Sequence, residues 1–179
     1  SSVDINNGNL IWQIPTQSSL AFDTGFFLKT SDIVVEKNAL FFSNNQNEFF
    51  SLDAQTGNLN WKQEINSNLR PVIINDLIFT VTLEGYLVIV EKNSGNIVRS
   101  NYLLNQFKKK KRPDIEPTGF IIGNKNIYLS NNIGRLSVID IATGVTRNIL
   151  KIDNKKISRP AIFNKNLYII SNNSIIKLD

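Results

Sequence analysis

Carboxylates are the side chains with which this chain could do chemistry. The sequence has 15 Asp and Glu but no His and no Cys. That removes thiolate nucleophiles, imidazole proton shuttles and disulfides, and leaves carboxylate acid–base work or ligation of a hard cation. Four carboxylates, Asp4, Asp53, Glu91 and Asp140, recur in register with Asp179 at spacings of 49, 38, 49 and 39 residues. Each opens a similar short segment: DINNGNLIW, DAQTGNLNW, EKNSGNIVR and DIATGVTRN. Gly8, Gly57, Gly95 and Gly144 follow four residues after the acid, and Trp12 and Trp61 close the first two copies. In such a segment the acid accepts hydrogen bonds from the turn's own N–H groups and Gly supplies the positive φ that the turn requires. The turn therefore already employs each carboxylate. No nucleophile, base and orienter assemble, so catalytic residues, a cofactor site and a metal site are not expected.

A period of about 40 to 50 residues belongs to four-stranded propeller blades. Ahead of each turn lie two alternating apolar segments, such as LFFS with EFFSLD and LIFTVT with YLVIVE. Further upstream come RPVIIND, EPTGFIIGN and SRPAIFNKN, extended runs entered through proline, which donates no hydrogen bond and suits a strand's first position. The expected fold is all-β, a partial β-propeller of about four blades of four antiparallel strands, half of an eight-bladed ring. The expected blades are 31–65, 70–103 and 116–152, with three strands of a last blade at 158–179 and a lone fourth strand at 9–14. Residues 9–14 could close a ring against 173–178, or two copies could share one ring as a homodimer. Trp12 and Trp61 fall in fourth strands, where a large ring packs against the next blade. Arg99 and Asn148 hold that place without a ring, so their junctions should pack differently. Asn44, Asn45, Asn131, Asn132, Asn172 and Asn173 lie between second and third strands and read as turn residues that tolerate left-handed geometry.

With 41% hydrophobic and 20% charged residues in 179, the chain can bury a core. No apolar run approaches the roughly 20 residues that cross a bilayer, and the start, SSVDINNGN, has neither a charged nor an apolar leader segment. No Met occurs anywhere, and the sequence reads as a piece of a longer chain.

The D-x-x-[TSN]-G-x-[LI]-x-W turn with its following proline-led strand pair resembles the pyrroloquinoline-quinone-type propeller repeat over nearly the whole chain. Within that superfamily, the segment order and the long connection after Trp12 resemble the C-terminal half of outer-membrane assembly lipoproteins of the BamB family. That resemblance implies a non-enzymatic scaffold on the periplasmic side of the outer membrane of a Gram-negative bacterium, binding an outer-membrane barrel-assembly protein. It also implies membrane association only through a lipid anchor on a more N-terminal part. Quinoprotein dehydrogenases use the same repeat to hold a quinone and calcium, often beneath paired cysteines. A fragment of such an enzyme is the alternative, which the absence of Cys disfavours; another envelope interaction propeller is a third.

Two insertions produce the long spacings: PTQSSLAFDTGFFLKT (15–30) and NQFKKKKRPDIEPTG (105–119). Both follow fourth strands, so both should enlarge the same face, and loops on a rigid scaffold commonly carry binding. The run Lys108, Lys109, Lys110, Lys111, Arg112 holds five consecutive charges of a chain with net charge +5. A nucleic-acid footprint needs a wider basic face with stacking aromatics, and nucleic acid is not expected as a partner. A solvated loop and an acidic protein or lipid surface remain. In the first insertion Phe26-Phe27-Leu28 reads as the beginning of the next inner strand, while Leu20 and Phe22 are candidate anchors. In the lipoprotein family the corresponding connection carries an apolar pair and an Arg that touch the barrel subunit. Leu20 and Phe22 match the pair, and Asp23 stands where the Arg is expected.

Overall fold

The structure is a computed structural model that describes residues 1–16 and 27–178. Strands β1 (Ser2–Val3) and β2 (Leu10–Trp12) form a hairpin. Three four-stranded antiparallel sheets follow: β3 (Val34–Glu36), β4 (Ala39–Asn44), β5 (Glu48–Asp53) and β6 (Leu59–Gln63); β7 (Val72–Ile74), β8 (Leu77–Val81), β9 (Tyr86–Glu91) and β10 (Ile97–Tyr102); β11 (Pro117–Gly123), β12 (Asn126–Asn131), β13 (Arg135–Asp140) and β14 (Thr146–Lys151). A three-stranded sheet of β15 (Ala161–Phe163), β16 (Asn166–Ser171) and β17 (Ser174–Leu178) ends the described chain. In each sheet the strands lie side by side in chain order, the arrangement of propeller blades. We call these four sheets blades one to four.

The core lies between blades, because side chains alternate across a strand and the middle strands are covered on both faces. Phe41, Phe49 and Trp61 of blade one meet Ile78, Val88 and Val90 of blade two in one cluster. Their neighbours Phe42, Phe50 and Leu52 point the other way, against Ile14 and Leu40. Phe79, Val81, Leu87 and Ile89 join Phe120, Ile127, Leu129 and Ile139 between blades two and three, and Leu136 joins Ile157, Leu167 and Ile169 between three and four. The two-sided burial explains why EFFSLD and YLVIVE are nearly continuous apolar runs.

The repeated turns are built as their residue types require. Asp53 Oδ1 accepts from the backbone N–H of Gln55 and Thr56 and from the Thr56 hydroxyl, at 2.9, 2.8 and 3.0 Å. Asp140 Oδ1 accepts from the Thr143 N–H and hydroxyl, and its second oxygen from Arg147. Asp4 accepts from Asn6 and Asn7, and Glu91 from Ser94. The Thr56 N–H holds the Asp53 carboxyl below its ordinary value, and the Thr143 N–H does the same for Asp140. Gly8, Gly57, Gly95 and Gly144 have φ of 75, 75, 77 and 71°.

Two of these glycines have a second task. The Trp12 indole lies on Gly57 and the Trp61 indole on Gly95, where an added Cβ would stand 2.7 Å from ring carbons. Trp12 Nε1 donates to the Ala54 carbonyl at 3.1 Å and Trp61 Nε1 to the Lys92 carbonyl at 2.8 Å. At the next junction Arg99 donates to the carbonyls of Ile141 and Ala142, while Asn101 covers Gly144. The junctions therefore differ in the way the missing ring predicts.

One feature departs from the expectations, one decides between alternatives left open among the described residues, and one has no counterpart in the sequence pattern. Residues 9–14 are not a lone strand: Leu10 and Trp12 pair with Val3 and Ser2 across the turn. Among the described residues β2 pairs only with β1 and β17 only with β16, so 9–14 does not close against 173–178. Each third-to-fourth strand ladder also shifts register beside the turn, between Ser2 and Val3, Ser51 and Leu52, Ile97 and Arg99, and Val138 and Ile139. Such bulges re-aim the residue that follows. Here that residue is Trp12, Trp61, Arg99 or Asn148.

Candidate partner-binding face

The connections that enter each blade and the turns between its second and third strands share one face. The turns hold the connections by direct hydrogen bonds. The Asn45 N–H donates to the Lys29 carbonyl, its Nδ2 donates to the Phe27 carbonyl at 2.8 Å, and its Oδ1 accepts from the Lys29 N–H at 2.8 Å. Asn132 repeats all three: its N–H donates to the Glu116 carbonyl, its Nδ2 to the Asp114 carbonyl at 2.8 Å, and its Oδ1 accepts from the Glu116 N–H at 3.0 Å. Both long insertions are thus clamped at their exits by the same residue type at the same blade position. In blade two, where the connection is short, Leu83 occupies the place and keeps only the backbone bond, to the Asn66 carbonyl. Asn172 of blade four reaches Asp153 on its connection through Nδ2, at 2.7 Å.

These contacts correct the expectation for the turn asparagines. Asn44, Asn45, Asn131 and Asn132 are not left-handed; Asn47, Asn172 and Asn173 are. Asn44 and Asn131 are buried, and their side-chain carbonyls accept two turn N–H groups each, from Gln46 and Glu48 and from Ile133 and Arg135. Asn recurring at one blade offset was the available signal, because a side chain with both a donor and an acceptor can replace a missing strand partner.

The first insertion also needs a correction. Phe27 is 74% exposed and the inner strand begins at Val34, so Phe27 and Leu28 do not open it. Their place is fixed instead by the Asn45 bond to the Phe27 carbonyl. Leu20, Phe22, Asp23 and Phe26 lie outside the described residues.

The second insertion is ordered. Leu104–Gln106 and Lys109–Asp114 are 3₁₀ helices, and Pro117–Gly123 already belongs to β11. Within the basic run, Arg112 is separated from its neighbours by geometry. Its Nε donates to the Phe107 carbonyl and its Nη2 to the Asn105 carbonyl, both at 2.9 Å, and its guanidinium stands 5.9 Å from the Tyr102 ring. Tyr102 in turn packs on Tyr86 at 4.9 Å. Arg112 pins the loop to blade two. Lys108, Lys109, Lys110 and Lys111 are exposed, and the ion pairs among the described residues, made by Lys62, Lys92 and Arg147, do not include them.

The exits of the two insertions meet across one cavity of about 790 Å³, with Lys29 and Asn45 on the first side and Lys109, Arg112 and Glu116 on the second. Leu69 and Lys156 add to its wall. The cavity is a shallow, mixed-charge depression of the kind that a protein surface fills, rather than an enclosed apolar pocket.

A family model described as "Outer membrane protein assembly factor BamB" matches residues 1–101. The chain belongs to the BamB family. The BamB of Legionella pneumophila (strain Paris) is 22% identical over 144 residues, which are 79% of this chain and 32% of that protein. The crystal structure of BamB from Moraxella catarrhalis matches with a TM-score of 0.66 and 14% identity, over 82% of this chain and 41% of that chain. The quinohemoprotein alcohol dehydrogenase ADHIIG from Pseudomonas putida HK5 matches with a TM-score of 0.54 and 16% identity, over 65% of this chain and 19% of that one. These structural likenesses show a shared propeller fold. The chain spans less than half the length of each of these proteins. The family's described role is outer membrane protein assembly.

Proposed function

We propose that this BamB-family segment is a non-enzymatic scaffold of outer-membrane barrel assembly, working on the periplasmic side of the outer membrane, and that it binds a barrel-assembly protein through the face carrying 15–30 and 105–119. The observation that carries the reading is the junction of the two insertion exits on one cavity, in a chain whose family is described by assembly. Leu20 and Phe22 are the proposed apolar anchors, and Lys108–Lys111 steer the encounter. Anchors act on the residence of a complex, whereas rim charges act on its rate of formation and its salt dependence.

The test is the affinity of the full-length protein for a purified barrel-assembly protein at low and high salt. Leu20→Ala/Phe22→Ala should cost on the order of 2 kcal/mol or more, about 30-fold. Neutralising Lys108–Lys111 should chiefly lower the association rate and flatten its salt dependence. Affinity unchanged in the first variant at every salt concentration would remove the main support for this face. Solution mass of the same protein tests whether a second copy completes a ring.

A second reading, a fragment of a quinone-dependent dehydrogenase, is favoured only by the structural likeness to ADHIIG. Its repeat carboxylates are engaged by their own turns, as described for Asp53 and Asp140. Tight stoichiometric binding of quinone with calcium, accompanied by dye-linked alcohol oxidation by the full-length protein, would establish that reading in place of assembly.

A further inference from the structure

Two arginines occupy the same position in two different blades. Arg70 precedes Pro71 and stands two residues before Val72 of β7, and Arg159 precedes Pro160 and stands two residues before Ala161 of β15. The corresponding residues of the other two blades are Asp32 and Gly119. Gly119 explains where Arg159 goes. A Cβ on Gly119 would lie 2.4 Å from Arg159 Cβ and 2.7 Å from its Cγ, so the arginine stem occupies the room that any side chain of blade three would need. Arg159 Nε donates to the Phe120 carbonyl at 3.0 Å, which fixes the guanidinium while its Nη groups make no hydrogen bond to a described residue.

Both arginines line a cavity of about 440 Å³ whose remaining wall includes Val34, Val72, Ile121 and Pro71, drawn from the inner strands of blades one to three. Neither guanidinium has an ion pair among the described residues. Glu36, the carboxylate on that wall, is held by Lys92 at 3.1 Å. Burial lowers the affinity of Arg159 for its proton, and repulsion from Arg70 adds to this, with Asp32 acting the other way. Two like charges that line one cavity repel each other, and an anion between them relieves that repulsion.

We propose that Arg70 and Arg159 form a binding site for a small organic carboxylate between the inner strands of the blades. A guanidinium offers planar, paired donors that match a carboxylate's two oxygens, and the half-buried position of Arg159 strengthens that attraction. The valine, isoleucine and proline wall suits the apolar body of such a ligand, in the usual proportion of a few polar groups on an apolar surface. This site is distinct from the proposed docking face, and its test does not involve the partner.

Three probes separate charge from body: benzoate, which has both; inorganic phosphate, which has only charge; and benzyl alcohol, which has only body. The full chain is titrated with each and followed by amide NMR. Benzoate should bind most tightly and shift resonances of 32–36, 70–73, 119–121 and 159. Arg70→Gln and Arg159→Gln should each weaken benzoate at least about tenfold, as expected when one charge-assisted pair is lost. Lys151→Gln, an exposed change in β14, should leave it unaltered. Arg70 is exposed and makes no hydrogen bond with a described residue, so Arg70→Gln stays folded and keeps the test valid if Arg159→Gln does not. Benzoate binding that is absent, equal in Arg70→Gln, or matched by phosphate or benzyl alcohol would overturn the proposal.

Discussion

Trp61 meets the blade after it as a ring, and Arg99 meets the next one as a fork of donors. Both satisfy a carbonyl of the following turn, Lys92 in one case and Ile141 with Ala142 in the other. The indole adds what the guanidinium lacks. It is 8% exposed and packs at 6.0 Å on Phe41 and 5.5 Å on Phe49 inside the core between blades one and two. Arg99 adds no apolar body to its junction and leaves its Nε buried without a partner. Hydrogen bonding to the turn is thus common to both junctions, while burial of apolar area separates them. The junction led by Arg99 should be the weaker.

The largest test of that contrast is Trp61→Ala, which removes the ring and opens a void between two blades. It should lower stability by about 3–5 kcal/mol, read as a shift of the urea midpoint. A loss below that of Arg99→Ala would reverse the ranking of the junctions. Gly95→Ala should cost about 1–3 kcal/mol, from the clash with the Trp61 ring together with left-handed strain. Gly144→Ala meets only the movable Asn101 side chain and should cost less; equal losses would show that turn strain, not the ring, sets the penalty. Arg99→Ala should cost about 1 kcal/mol, the net worth of hydrogen bonds to two turn carbonyls. Asn45→Ala and Asn132→Ala should each cost a similar amount or less and should loosen the insertion exits, seen as faster hydrogen exchange at Lys29 and Glu116.

The smallest effect is the acid limb. Asp53 and Asp140 have folded values below the ordinary 3.8. Their contribution is therefore fully present above that value and is lost as pH falls through the lower folded one. Asp53→Asn should flatten the fall of stability below about pH 4, measured by urea unfolding across pH. An unchanged slope would mean that its turn keeps the same bonds in both protonation states.

Legibility in the sequence followed locality. The repeated turns could be read because the acid, the hydroxyl and the glycine that shape each one lie within five residues, and the blade order follows from their phase. The bulge that aims each tryptophan has no residue of its own and is defined only against the partner strand, so nothing in DAQTGNLNW announces it. Phe27 and Leu28 look like strand residues, yet their backbone is bound by Asn45, 18 residues away from Phe27. The role of Arg112 was hidden for a related reason. In sequence it is the last of five charges, and only the return of the loop onto Tyr102 makes it a pin. Leu20 and Phe22 lie outside the described residues, so their reading rests on sequence.

Each indole belongs to one sheet and covers the glycine of the next, so the overlap runs in a single direction along the chain, as tiles do on a roof. The piece of sequence that repeats and the piece that would hold together by itself are therefore out of step by one strand. A chain divided ahead of β7 leaves Trp61 without its glycine and Gly95 without its cover. A chain divided just after the glycine of such a turn, between Gly57 and Leu59, keeps every such pair whole, because the fourth strand then travels with the sheet that it shields and the glycine stays with the indole that covers it. Circular permutation or transplantation of these modules should succeed at that second kind of seam and fail at the first.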